Sequence, residues 1–190
     1  MDDLVKIGAI FKEAKQFLNF TKKDIIILRK CYPKFEPLFP EIVDIALKRL
    51  GTSTHVISIL EKHRVPISAA RLNFLKWLDS VFTSNYDVDA ALKAYKIGEV
   101  HDRTGIDSKY VTMTMGIFIM VFDYIFSRNS GKRKALFIMS HTIKKALFLN
   151  LTMMLESYEV SKSERHNETV ESLKSILYFD PNAEMGHVGE

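Results

Sequence analysis

One cysteine, five prolines and eight glycines in 190 residues leave this chain few ways to be stapled or broken. Cys31 stands alone, which excludes an intramolecular disulfide and any paired-cysteine metal site, and it suits a reducing compartment. No histidine lies near it in sequence to act as a base, so a thiol nucleophile is not expected. A phosphate-binding loop, a dinucleotide-binding glycine fingerprint and an HExxH metal motif are all missing. Asp2 and Asp3 occupy the place where a secretory signal carries positive charge, so no such signal is expected. The sequons at Asn19, Asn150 and Asn167 then carry no weight. Long unbroken apolar runs are absent as well. Residues 111–122 stop at Asp123, and 135–155 include His141, Lys144 and Lys145, so no membrane span is expected. The net charge is only +4, and its lysines are scattered in short groups such as Lys22-Lys23 and Lys144-Lys145. No basic stripe interleaved with aromatics is present, which argues against a nucleic-acid partner. The expectation is a soluble, cytoplasmic protein.

What remains is an ordinary globular composition, 47% apolar and 26% charged, with helical periodicity over long stretches. The fold class expected is all-α, with one domain over 1–160 and a tail over 161–190 that is partly helical and frayed after Pro181. The first helix spans residues 4–18. Thr21 and Asp24 start a second that runs to Pro33. Pro40 suits the first turn of a third helix, stopped by Gly51. Short helical residues 55–62 precede Pro66, and an amphipathic helix covers 67–82. Residues 88–104 follow, closed by Gly105 in a left-handed cap, with Asp107 capping the next helix over 108–127. A polar loop then leads to a helix over 134–158.

Two of these helices, carrying "VTMTMGIFIMVF" and "ALFLNLTMML", are apolar nearly all round and need cover on more than one side. A second copy of the chain is the economical cover, so a homodimer through the last two long helices is expected. Carboxylates such as Asp87, Asp89, Glu99 and Asp102 fall on polar faces and are read as solvated.

His101 is the residue that needs an explanation. It lies on one helix face with Ala90, Ala94 and Ile97, and a polar ring on such a face requires a partner. Small neighbours leave room for a large flat group to approach, yet a lone inward histidine is also a common satisfied core residue. Residue chemistry leaves both readings open.

The segment "KIGEVHDRTGIDSKYV" resembles the proximal-histidine region of protoglobins and of the globin domains of bacterial globin-coupled sensors. Lys96, Ile97, Gly98, His101, Arg103, Gly105, Ile106, Tyr110 and Val111 fit the pattern. "LKWLDSVFTSNYD" resembles the end of that family's distal helix through Trp77, Phe82 and Tyr86, and "FTKKDIIILRKCYP" resembles its first core helix. The likeness covers roughly residues 20–158, and the leading helix fits the extra N-terminal helix of these sensors.

The resemblance implies a globin fold, a three-on-three helical sandwich with an extra N-terminal helix, no D helix and a C-terminal tail. It implies haem b, with His101 as the axial iron ligand and a carbonyl near Ile97 holding the other ring nitrogen. Ala94, Ile97 and Ile106 would line the proximal face, with Lys93 and Arg103 near the propionates or simply solvated. On the distal side the family's Phe-Tyr pair falls on Ala46 and Leu47, so that hydroxyl donor is missing. Ala70, Asn73 and Phe74 take the positions facing the iron, and Asn73 is the one obvious donor. His55 and His63 are expected at the surface, with a sixth-ligand role for either as the alternative. The function implied is a haem globin that senses or binds a diatomic gas (O2, CO or NO), with a separate signalling partner receiving the output. A haemless interaction module and a haem enzyme acting on nitric oxide or peroxide are the alternatives.

Overall fold

Local capping chemistry sets where the helices begin. Thr21 and Asp24 form the expected capping box, with the Thr21 N–H donating to Asp24 Oδ2 at 2.8 Å. Ser53 accepts from the Val56 N–H, and Asp87 accepts from the Ala90 N–H at 3.0 Å. The structure is a computed structural model that describes residues 2–128 and 133–177, with side chains over 4–128, 133–163 and 165–169. Its elements are α1 (Asp2–Phe17), α2 (Lys22–Phe35), a 3-10 turn (Glu36–Leu38), α3 (Phe39–Leu50), α4 (Thr54–Lys62), α5 (Ile67–Thr83), α6 (Val88–Thr104), α7 (Ser108–Ser127) and α8 (Arg133–Leu177). No strand occurs among the described residues, and no further helix separates α4 from α5.

Three local expectations are corrected. Pro33 does not end α2, which continues to Phe35. The ring forfeits one hydrogen bond near the helix end, and the continuation seats Phe35 among Phe82, Phe122 and Phe126 at ring distances of 5.7, 5.6 and 5.3 Å. Gly51 does stop α3, as expected, with φ −63°. The Asp107 side chain does not cap α7, because its carboxylate is taken by Lys109 Nζ at 2.9 Å. The helix expected to end at Tyr158 runs on to Leu177, since neither glycine nor proline interrupts that stretch. The expected fraying after Pro181 lies outside the described residues.

By contacts the chain divides into two units, Met1–Tyr158 and Glu159–Glu190. The first holds α1 to α7 and the start of α8. Helix α2 packs on α5, α3 on both α5 and α7, and α1 on α6. Phe82, Phe118 and Phe122 are the largest wholly buried side chains at its centre. A polar tie joins α2 to α8. Asp24 is buried and accepts from Thr142 Oγ1 at 3.1 Å and Lys145 Nζ at 3.3 Å. Burial pushes its carboxyl up, but the Thr21 N–H and hydroxyl together with Lys145 outweigh that and hold it below its usual value.

By length and composition α7 could cross a membrane. In this fold its Val111, Met115, Phe118, Val121 and Phe122 belong to the core. Its other face leaves Met113, Met120 and Tyr124 exposed, and α8 likewise exposes Phe137 and Phe148. The second apolar side of these helices is therefore uncovered within one chain.

Candidate functional site

Helix α6 is fixed at both ends. Before its start, Tyr86 takes a left-handed backbone (φ 54°) that a bulky residue adopts only when its surroundings enforce it. Three contacts do so. The buried Tyr86 hydroxyl donates to the Val81 carbonyl at 2.5 Å, its ring lies 4.6 Å from Phe20, and its carbonyl accepts from Lys15 Nζ of α1 at 3.0 Å. At the far end Gly105 has φ 85°, as the sequence predicts, and its N–H donates to the Asp102 carbonyl. The next N–H, from Ile106, donates to the His101 carbonyl at 2.9 Å.

His101 lies in the last turn of α6. Its ring is part-buried, and Nδ1–H donates to the Ile97 carbonyl at 2.6 Å. That bond fixes the tautomer and leaves Nε2 as the nitrogen available to a metal. Burial lowers the ring's pKa from its ordinary value, and the Ile97 bond offsets only part of this. The imidazole is thereby held in the neutral form that ligation requires.

The small residues of α6 serve two surfaces. Ala91, Ala94 and Gly98 are buried. A Cβ added at Gly98 would stand 2.2 Å from the Met154 carbonyl oxygen and 2.3 Å from Ser157 Oγ, so α6 meets α8 backbone to side. Ala90, Ala94 and Ile97 also line an open cavity of about 280 Å³ between α5 and α6. Trp77 and Ser80 form its α5 wall, Leu149 and Asn150 its α8 floor, and Lys93 is the cation at its rim. The Trp77 indole N–H donates to Asn150 Oδ1 at 3.2 Å, a pairing across 73 positions that no local pattern signals.

Neither His101 nor the other candidate site residues, Ala46, Leu47, Ala70, Asn73, Phe74, Arg103 and Ile106, line this cavity. Ala46 is wholly buried in α3, and Leu47 packs against the core. On α5, Ala70 is half-buried, Asn73 is exposed, and the Phe74 ring lies 5.7 Å from Phe118. Arg103 is exposed, whereas Ile106 is half-buried and its carbonyl accepts from the Tyr158 hydroxyl at 2.6 Å. His63 Nε2–H donates to the Thr104 carbonyl at 3.1 Å, and the His55 ring stacks on Tyr110 at 5.2 Å. His55 in α4 and His63 just after it thus have protein partners in α7 and α6. Sequence reasoning missed the bond between Tyr158 and Ile106, since nothing local links residues so far apart.

A family model, Protoglobin, matches residues 8–164. The chain belongs to the protoglobin family. Among solved structures this protoglobin is similar to the globin domain of the Geobacter sulfurreducens globin-coupled sensor, with TM-score 0.71 and 24% identity over 77% of this chain and 96% of that one. It is also similar to the globin domain of E. coli DosC in its ferric form I, with TM-score 0.65 and 14% identity over 78% and 99% of the two chains. These likenesses establish the globin fold. No curated protein matches.

Proposed function

We propose that this protoglobin binds haem b between α5 and α6 through His101 and takes up a diatomic gas (O2, CO or NO) as a sensor. The observation that carries this reading is the His101 ring. Its Nδ1 is committed to the Ile97 carbonyl, it is held neutral by burial, and it stands one turn beyond the Ile97 that lines the inter-helix cavity. These features fit haem, which the family implies. When bound, haem would supply an iron able to take up the gas.

The chain's own residues then have distinct tasks. His101 Nε2 would hold the metal, while Ala94, Ile97 and Ile106 would offer apolar surface to the group. Lys93 at the rim and Arg103 near the helix end are the cations available to the propionates. On the opposite side Ala46, Leu47, Ala70 and Phe74 exclude water, and Asn73 is the residue assigned to meet the gas. A pocket with one weak donor favours O2 less than one with a buried hydroxyl, because bound dioxygen is the more polar ligand. The sensor works as a cytoplasmic homodimer through α7 and α8 and passes its state to a separate signalling partner.

Absorption spectra of the purified chain, with and without haemin, test this. The expected result is a Soret band in the wild type that is lost or greatly weakened in His101→Ala. No band after reconstitution overturns the reading. Oxygen release from ferrous Asn73→Leu should be faster than from wild type, and an unchanged rate removes Asn73 from the site.

A further inference from the structure

One turn of α8 grips α6 on both sides of His101. Three residues before the histidine, Gly98 presses on Met154 and Ser157 so closely that no side chain fits. The oxygen beneath it is already fixed, because Ser157 Oγ–H donates to the Met154 carbonyl at 2.7 Å. Five residues after the histidine, Ile106 is bonded through both of its polar backbone groups. Its N–H donates to the His101 carbonyl at 2.9 Å, and its own carbonyl accepts from the Tyr158 hydroxyl at 2.6 Å. Tyr158 is 3% exposed, so this hydroxyl has little recourse to water if the bond opens. The His101 ring is tied by Nδ1 to Ile97, the residue next to Gly98. Ring, backbone carbonyl and helix end are therefore all referred to the same α8 turn.

We propose that Tyr158 is a positioning residue for His101. Through Ile106 its hydroxyl holds the C-terminal turn of α6 in place and so limits how far Nε2 moves along its line toward a bound metal. This rests on the reading of His101 as the axial ligand. Gly98 is the fixed point on one side of the histidine, and the Tyr158 bond is the tether on the other. Only the tether can be removed without changing packing volume.

Tyr158→Phe deletes the hydroxyl and keeps the ring. In the full apo chain the Ile106 amide should exchange with solvent about tenfold faster than in wild type, since its bond to His101 loses its support. In the haemin-loaded, ferrous, gas-free protein the iron–histidine stretching band in the resonance Raman spectrum should shift or split. The Soret band and the thermal melt should stay close to wild type. Ser157→Ala is a milder change to the same turn and should move the stretching band less, so it provides the reading if Tyr158→Phe does not fold. An unmoved stretching band in whichever variant folds overturns the proposal, as does unchanged Ile106 exchange in Tyr158→Phe. A stretching band that survives in His101→Ala overturns the ligand assignment instead, which separates the two failures.

Discussion

Histidines in this protein show how partner geometry decides what one side chain can do. His63 and His55 have exposed rings already engaged by Thr104 and Tyr110. Among the described histidines His101 alone is pressed inward, with burial lowering its pKa from 6.5. Its folded form resists protonation more than its unfolded form does. The stability linked to it is therefore complete above about pH 6.5 and is lost progressively as pH falls below that value. Melting of the apo protein between pH 7.5 and 5.5 should show a steeper decline in wild type than in His101→Gln. Equal declines would show that another group carries the pH dependence. His101 and the Gly105 cap were legible in the sequence because both depend on spacing within a few residues. Asp107 departs from its expected role at the same scale, because Lys109 two places on takes the carboxylate that a cap would use. The Tyr158 contact was illegible for the opposite reason, being set by tertiary approach over 52 residues.

Elements approach one another closely where Gly98 of α6 meets α8. A glycine-to-alanine change inside a helix ordinarily stabilises by about 0.5–1 kcal/mol through backbone entropy. At Gly98 the sign should reverse, because the added Cβ would lie 2.8 Å from the Met154 carbonyl carbon and closer still to its oxygen. Backbone cannot yield as a flexible side chain does, and overpacking of this kind costs roughly 1–3 kcal/mol. Gly98→Ala should therefore lower the melting temperature by several degrees, about 2–4 °C per kcal/mol for a chain of this size. A melt at or above wild type would mean that α6 and α8 stand further apart than the crossing described. The helices themselves were largely readable, with α6 and α7 found at their expected bounds, because period and caps are local signals. The continuation of α8 was not, since a change from apolar to polar residues marks the end of burial and not the end of a helix. Gly98 was noticed as part of a family pattern, yet its reason is a neighbour more than fifty residues away.

At the scale of the whole molecule the unresolved demand is the outer face of α7 and α8. Met113, Met120 and Tyr124 are 53%, 64% and 56% exposed, and Phe137 is 71% exposed. Four large apolar side chains on two helices make a patch of the kind that marks an association surface. A polar element sits among them. Asp123 accepts from Lys144 Nζ at 2.7 Å and from Ser140 Oγ at 3.1 Å, so its charge is neutralised within the chain and does not oppose the approach of a like surface. A second copy presenting the same face would bury the stripe isologously. Met120 is the sharpest probe, since its side chain projects outward and its replacement leaves the core of the chain untouched. Met120→Glu would place two like charges near the symmetry axis of such a dimer, where both must lose water. Light scattering at micromolar concentration should then give a dimer mass for wild type and a monomer mass for Met120→Glu, with the helical circular dichroism of the two alike. A monomeric wild type would assign the stripe to a different partner. A dimer that survives Met120→Glu would move the interface to another face of the molecule.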